Sequence, residues 1–163
     1  MLFRSLESGV RTPVSKSRAA YWRAVAAQER KDAAAANAFF GLAAQYPTTF
    51  YGQLAAQKYA PGAPLTLPPE TAPTDADKAL FEARPLTKAI RILAALGERE
   101  LFEEFALRLD DQLSSAAEHQ LLSQVAMQQL LPKLAVRGAK SGLARGIIST
   151  SAAYPLAPVP QSA

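Results

Sequence analysis

The chain has 163 residues, 49% of them apolar, which is enough for one domain with its own core or for a short helical array. Its 18 basic and 14 acidic residues leave a formal charge of +4, and no basic run is interleaved with aromatics, which excludes a base-stacking nucleic-acid surface. With no cysteine and His119 as the one imidazole, a disulfide framework, a thiolate nucleophile and a histidine or thiolate metal site are excluded as well, and no cofactor or metal is expected.

The opening Met1-Leu2-Phe3-Arg4-Ser5-Leu6-Glu7 has too short an apolar stretch for a signal peptide, so the chain is expected to be cytosolic or an internal piece without its leader. Residues 1–15 are a poorly specified lead-in. From Ser15 to Lys31 the chain is rich in alanine, the best helix former, with Trp22, Val25 and Ala26 on the side expected to pack and Arg18, Arg23 and Arg30 toward water. Asp32 is placed to cap a second helix, Ala33 to Tyr46, in which Ala35, Phe39, Leu42, Ala43 and Tyr46 recur at three and four. Pro47 stops it, and Thr48 or Thr49 opens a third helix running to about Tyr59 with Tyr51, Leu54, Ala55 and Lys58 on one stripe. Residues 16–59 therefore form a first helical hairpin group.

Residues 60–75 hold five prolines and Gly62, which cannot sustain a helix and predict an extended crossing. A second helical group spans 76–146. It begins with a short helix from about Ala76 to Ala83, then Pro85 starts a helix with Leu86, Ile90, Leu93 and Ala94 as its inner stripe, up to Gly97. Glu98, Glu100, Glu103 and Glu104 load the start of the next helix, where negative charge suits the helix dipole, and Leu101, Phe105, Leu109 and Leu113 supply its core face. Ser115 and Glu118 form a capping box for a helix carrying Leu121, Leu122, Val125 and Leu130. After Pro132 a last helix, Leu134 to Arg145, presents Ala135, Gly138, Ala139 and Gly142 as a thin face suited to close contact. Residues 147–163 lose periodicity and gain proline, which reads as a tail or linker. The fold class is all-α, an array of antiparallel helical hairpins, and no run approaches the roughly 20 apolar residues of a membrane span.

The spacing of Ala35, Phe39, Leu42, Ala43 and Pro47 fits the second helix of a tetratricopeptide-like hairpin. With Tyr21-Trp22 before it, Tyr46-Pro47 at its end and Thr48-Thr49-Phe50-Tyr51-Gly52-Gln53-Leu54-Ala55 after it, the chain resembles the helical superhelix of soluble lytic murein transglycosylases. Arg84-Pro85-Leu86 through Ala94, Leu96, Gly97 and Glu98, and on to Ala135, Ala139, Lys140 and Ala153-Tyr154-Pro155, is similar to the segment before that family's catalytic domain. The resemblance covers about residues 17 to 156 and marks Tyr21, Trp22, Pro47, Thr49, Gly52, Leu54 and Ala55 as the family's structural motif. The family follows Tyr-Trp, after one variable position, with glycine and arginine, where this chain has Ala24 and Val25.

The resemblance implies a bacterial periplasmic protein whose parent is a lyase cleaving the glycan strands of peptidoglycan, with this chain as a scaffold that positions a lysozyme-like catalytic domain on the cell wall. The partners implied are peptidoglycan, through the intact protein, and that catalytic domain. The family's catalytic helix carries glutamate, serine and phenylalanine in close succession. No Glu-Ser-x-Phe run exists here, and the one Glu-Ser pair, Glu7-Ser8, precedes the array. The chain is expected to end where the catalytic domain begins, and to be inactive by itself. The rival expectation is a free-standing tetratricopeptide-like adaptor that binds a protein.

No catalytic residue is assigned from the sequence. Glycan cleavage needs a carboxylic acid held protonated, whereas Glu98, Glu100, Glu103 and Glu104 have water, Arg99 and a helix dipole as expected neighbours, all of which favour the ionised form. His119, between Glu118 and Gln120, is expected on the polar surface of its helix. Tyr46, Phe50 and Tyr51 suit either a sugar-stacking groove or a hairpin core. Lys133, Arg137, Lys140 and Arg145 suit either contact with an anionic polymer or neutralisation of helix C-termini.

Overall fold

The computed structural model describes residues 11–154, which fold into α-helices and the segments that join them. The helices are α1 (Pro13–Glu29), α2 (Ala33–Ala44), α3 (Phe50–Tyr59), α4 (Asp75–Ala83), α5 (Pro85–Leu96), α6 (Arg99–Asp110), α7 (Ala116–Gln128), α8 (Pro132–Arg145) and α9 (Thr150–Ala153). Packing is largely between consecutive helices. The chain divides into two compact units, one running to Pro68 and taking in Ala144–Gly146, the other running from Pro69 to Leu143 and resuming at Ile147. The division lies within the proline-rich stretch 60–75.

In the first unit α1, α2 and α3 each touch the other two. Thr12 caps α1, accepting from the Ser15 N–H at 3.2 Å, and Pro13 occupies the first turn, where its missing N–H costs nothing. The helix therefore starts inside the expected lead-in, whose first ten residues lie outside the described residues. The buried stripe of α1 is Ser17, Ala20, Ala24 and Ala27, and these small side chains let α2 and α3 lie close. Ala36, Phe40 and Ala43 of α2 and Gly52 and Ala55 of α3 complete the core.

That core is rotated from the expected one. Trp22 is 46% exposed and Leu42 is also exposed, while Phe40, rather than Phe39, fills the centre. Phe39 stays at the margin, where the Arg23 guanidinium lies 4.0 Å from its ring centre. A helix whose alanines surround it on all sides gives no apolar stripe to read, so packing selects the small face and turns Trp22 outward.

The second unit has the larger core: Phe81, Ile90, Phe102, Ala106, Leu109, Leu113, Leu121, Leu122, Val125, Ala126, Leu131, Leu134 and Ala135 are buried together. Thr74 and Asp77 form a capping box on α4, Pro85 opens α5, and Gly97 ends α5 in the left-handed conformation at φ 74°. On α6 the buried face is Phe102, Ala106 and Leu109, one position along from the expected Leu101 and Phe105. Ser115 and Glu118 make the expected capping box on α7.

Residues 147–154, read from sequence as tail or linker, are part of this unit. Ser149 opens α9, and Ala152 and Ala153 are buried with Ala139 of α8. Ile147, Ile148, Ala152 and Ala153 are too few and too closely paired to show a period that separates a docked turn from a linker. Residues 155–163 of the expected tail lie outside the described residues.

Candidate functional site

The residues of the 46–55 motif form a single joint. Thr49 Oγ1 lies 2.9 Å from both the Ser17 hydroxyl and the Tyr46 carbonyl oxygen, and it accepts the Gly52 N–H at 3.1 Å. Thr49 thus caps α3 and ties it to α1 through one buried oxygen. Gly52 is required by distance: a Cβ there would stand 1.9 Å from the Tyr46 carbonyl oxygen. Pro47 lies in the turn between α2 and α3, where its carbonyl accepts the Gln53 side-chain amide at 3.0 Å. Ala55 is buried against α1 and α2, and Leu54 is half-buried.

Tyr21 is the hub of an aromatic cluster, with ring centres at 5.6 Å from Phe40, 5.3 Å from Tyr51 and 5.7 Å from Trp22. Tyr51 extends the cluster to Phe50 at 5.3 Å. Tyr46 and Tyr51 are half-buried, but Phe50 is 70% exposed. Edge-to-face stacking at Tyr21–Trp22 and Phe50–Tyr51 gives tight ring packing rather than one flat platform. The joint therefore presents an aromatic rim, Trp22 and Phe50, over a packed interior of Tyr21 and Phe40.

Two open recesses flank α2. One, of about 380 Å³, is lined by Gln28, Lys31, Ala33, Ala36, Asn37, Phe40 and Lys58. The other, of about 580 Å³, shares Asn37 and is bordered by Gly41, Leu42, Gln45 and Tyr59. The two lysines do not make the first an anion site, because the C-termini of α1 and α3 end beside them and Asp32 adjoins Lys31, so the positive charge is locally offset.

His119 is not on the surface. It is 1% exposed, with Nδ1 3.2 Å from Oδ1 of buried Asp110. The thin face of α8 covers this pair: a Cβ on Gly142 would lie 2.9 Å from His119 Nε2, and one on Gly138 3.2 Å from Asp110 Oδ1. The sequence missed the placement because polar neighbours, Glu118 and Gln120, suggested a wet face. Both are buried too, each consumed by a specific bond.

Glu118 accepts from the Ser114 N–H at 2.9 Å and the Ser115 N–H at 3.3 Å, and from the Arg84 guanidinium, whose Nε lies 2.9 Å away. Burial pushes its carboxyl pKa up, but these hydrogen bonds and the Arg84 charge outweigh it and the net shift is downward. Such a carboxylate is a poor general acid.

Of the glutamates of α6, Glu100 and Glu104 are exposed and Glu103 is half-buried, and two pair along the helix, Arg99 with Glu103 and Arg108 with Glu104. Lys133, Arg137, Lys140 and Arg145 are all exposed; the first three share one face of α8, and Arg145 stands in its last turn. Among the described residues no group of acidic or histidine side chains could hold a metal ion, and no helix is long and apolar enough to cross a membrane. Compared with protein-family models, curated proteins and solved structures, the chain has no match.

Proposed function

We propose that the chain is a helical scaffold of the kind that precedes the catalytic domain of peptidoglycan lytic transglycosylases, a tetratricopeptide-like superhelix that positions a glycan-cleaving domain on the bacterial cell wall. The observation that carries this reading is the joint at Thr49 and Gly52. Four residues of the resembling motif have a stereochemical duty there: Thr49 caps and cross-links, Gly52 admits the Tyr46 carbonyl, Ala55 and Tyr21 fill the space between helices. Interdependence of that kind gives a sequence likeness a physical basis, because changing one member disturbs the rest.

In this reading the chain supplies a rigid mount and the parent enzyme supplies the chemistry, in the periplasm. Any grip on the wall falls to the exposed cations Lys133, Arg137, Lys140 and Arg145 and to the aromatic rim at Phe50. Reading the gene beyond the codon for Ala163 tests the scaffold: an in-frame lysozyme-like domain with a catalytic glutamate supports it, and a stop codon favours a free-standing adaptor. Co-sedimentation with insoluble peptidoglycan tests the grip. Binding at 0.1 M salt should weaken at 1 M, as the Debye length falls from about 10 Å to 3 Å, and should be lost when the four cations become glutamine. Binding unchanged by that substitution removes the cations from the proposal.

A further inference from the structure

The carboxylate of Glu70 gathers donors from two distant parts of the second unit. Its Oε1 accepts from Gln120 Nε2 at 2.8 Å, Ser149 Oγ at 2.8 Å and Ser151 Oγ at 3.0 Å, and its Oε2 accepts the Ser151 N–H at 2.8 Å. Gln120 also donates to the Thr71 carbonyl at 3.1 Å, so the backbone beside Glu70 is pinned by the same amide. Gln120 belongs to α7, which carries much of the core, whereas Ser149 and Ser151 belong to residues 147–154. Beyond these bonds, Ile147 and Ile148 are half-buried and α9 packs on α7. The buried side chains of 147–154 include Ala152 and Ala153, set against Ala139 and Leu143, and alanine brings little apolar area to a contact. Tyr154 is exposed, with the Lys140 ammonium 6.0 Å from its ring centre. Charge-assisted hydrogen bonds are the strong ones, and here they converge on one side chain.

We propose that residues 147–154 are a strap, closed onto the second unit by a Gln120–Glu70 clasp and separable from it without unfolding the helices beneath. Closed, the strap covers Ala139 and fixes Tyr154. Open, it uncovers that face of α8 and frees the backbone from Ser149 onward, while α4 to α7 keep their core. The inference goes beyond the scaffold reading and does not depend on it.

Amide hydrogen exchange on the full chain tests it. Glu70→Gln keeps the size of the side chain but puts an amide where two hydroxyls and an N–H now donate to a charge. Exchange of Ser151 to Tyr154 should rise about tenfold or more, with protection in α4–α7 unchanged, because strap opening is a local event with its own free energy. Ser149→Ala combined with Ser151→Ala removes the hydroxyl donors from the strap side and should reproduce the effect, which keeps the test decisive if Glu70→Gln impairs folding. Unaltered exchange at 151–154 in both variants would overturn the proposal. So would an increase spread evenly over α4–α7, which would make Glu70 a general support of the unit.

Discussion

Arg84 and Glu118 lock the junction of α4 and α5 to the start of α7. Arg84 is the single residue between α4 and α5, and its guanidinium donates to Oε1 of the carboxylate whose Oε2 accepts the Ser114 and Ser115 N–H groups. One side chain thereby completes a helix cap and a tertiary link across 34 residues.

Glu118→Ala should cost about 2–3 kcal/mol, since it strips the cap and leaves a half-buried guanidinium without its anion. Glu118→Gln keeps an acceptor and should cost about half as much. Urea midpoints of the three proteins would measure the order; equal midpoints for wild type and Glu118→Ala would refute the lock.

In the first unit the ranking of aromatic truncations follows exposure, not size. Phe40→Ala should cost about 3–5 kcal/mol because it empties a buried site. Trp22→Ala should cost about 1 kcal/mol, because nearly half of the indole already faces water. Urea melts that placed Trp22→Ala at or below the stability of Phe40→Ala would reverse the assignment of the core.

Local signals were the legible part of this fold. Asp32, Thr49, Pro85 and the Ser115–Glu118 box act within one helical turn, so a few adjacent residues determine them, and each caps or starts its helix as read. Which face each helix turns inward was less legible. Alanine on every side of α1 and α2 removes the contrast that periodicity needs, and the buried faces settled on Ala24 and Phe40 rather than Trp22 and Phe39. The polar interior was the least legible. His119, Gln120 and Glu118 are buried because Asp110, Glu70 and Arg84 receive them, and those partners stand 9 to 50 residues away with no local mark.

Glycine substitutions should separate a backbone clash from a side-chain clash. Gly52→Ala brings a methyl to 1.9 Å of the Tyr46 carbonyl, and because the obstacle is main chain the α2–α3 turn must move, at a cost of about 3 kcal/mol or more. Gly142→Ala brings a methyl to 2.9 Å of the buried His119 ring. Overpacking of that kind costs about 1–3 kcal/mol, from which about 1 kcal/mol of helix propensity is recovered. Thermal or urea melts should therefore rank Gly52→Ala well below Gly142→Ala, and the reverse order would place the tighter joint in the second unit.

Acid should loosen the second unit through two glutamates. Burial alone would raise the pKa of Glu70, but the Ser151 N–H, the Ser149 and Ser151 hydroxyls and the Gln120 amide together bring it below the ordinary value. Glu118 is likewise lowered, by the Ser114 amide and Arg84 acting against burial. A carboxyl whose pKa is lower folded than unfolded binds its proton more readily in the unfolded chain. Its stabilising contribution is complete above the unfolded value of about 4.3 and is lost as pH falls through the folded value. These two groups should thus leave stability level above about pH 6 and reduce it progressively below about pH 4.5. Urea midpoints between pH 7 and pH 3 should show the fall, and Glu118→Gln, which has no proton to gain, should be less stable at pH 7 yet decline less steeply in acid. Parallel curves for the two proteins would mean that the Glu118 carboxylate gains nothing from Arg84 and the two serine amides on folding.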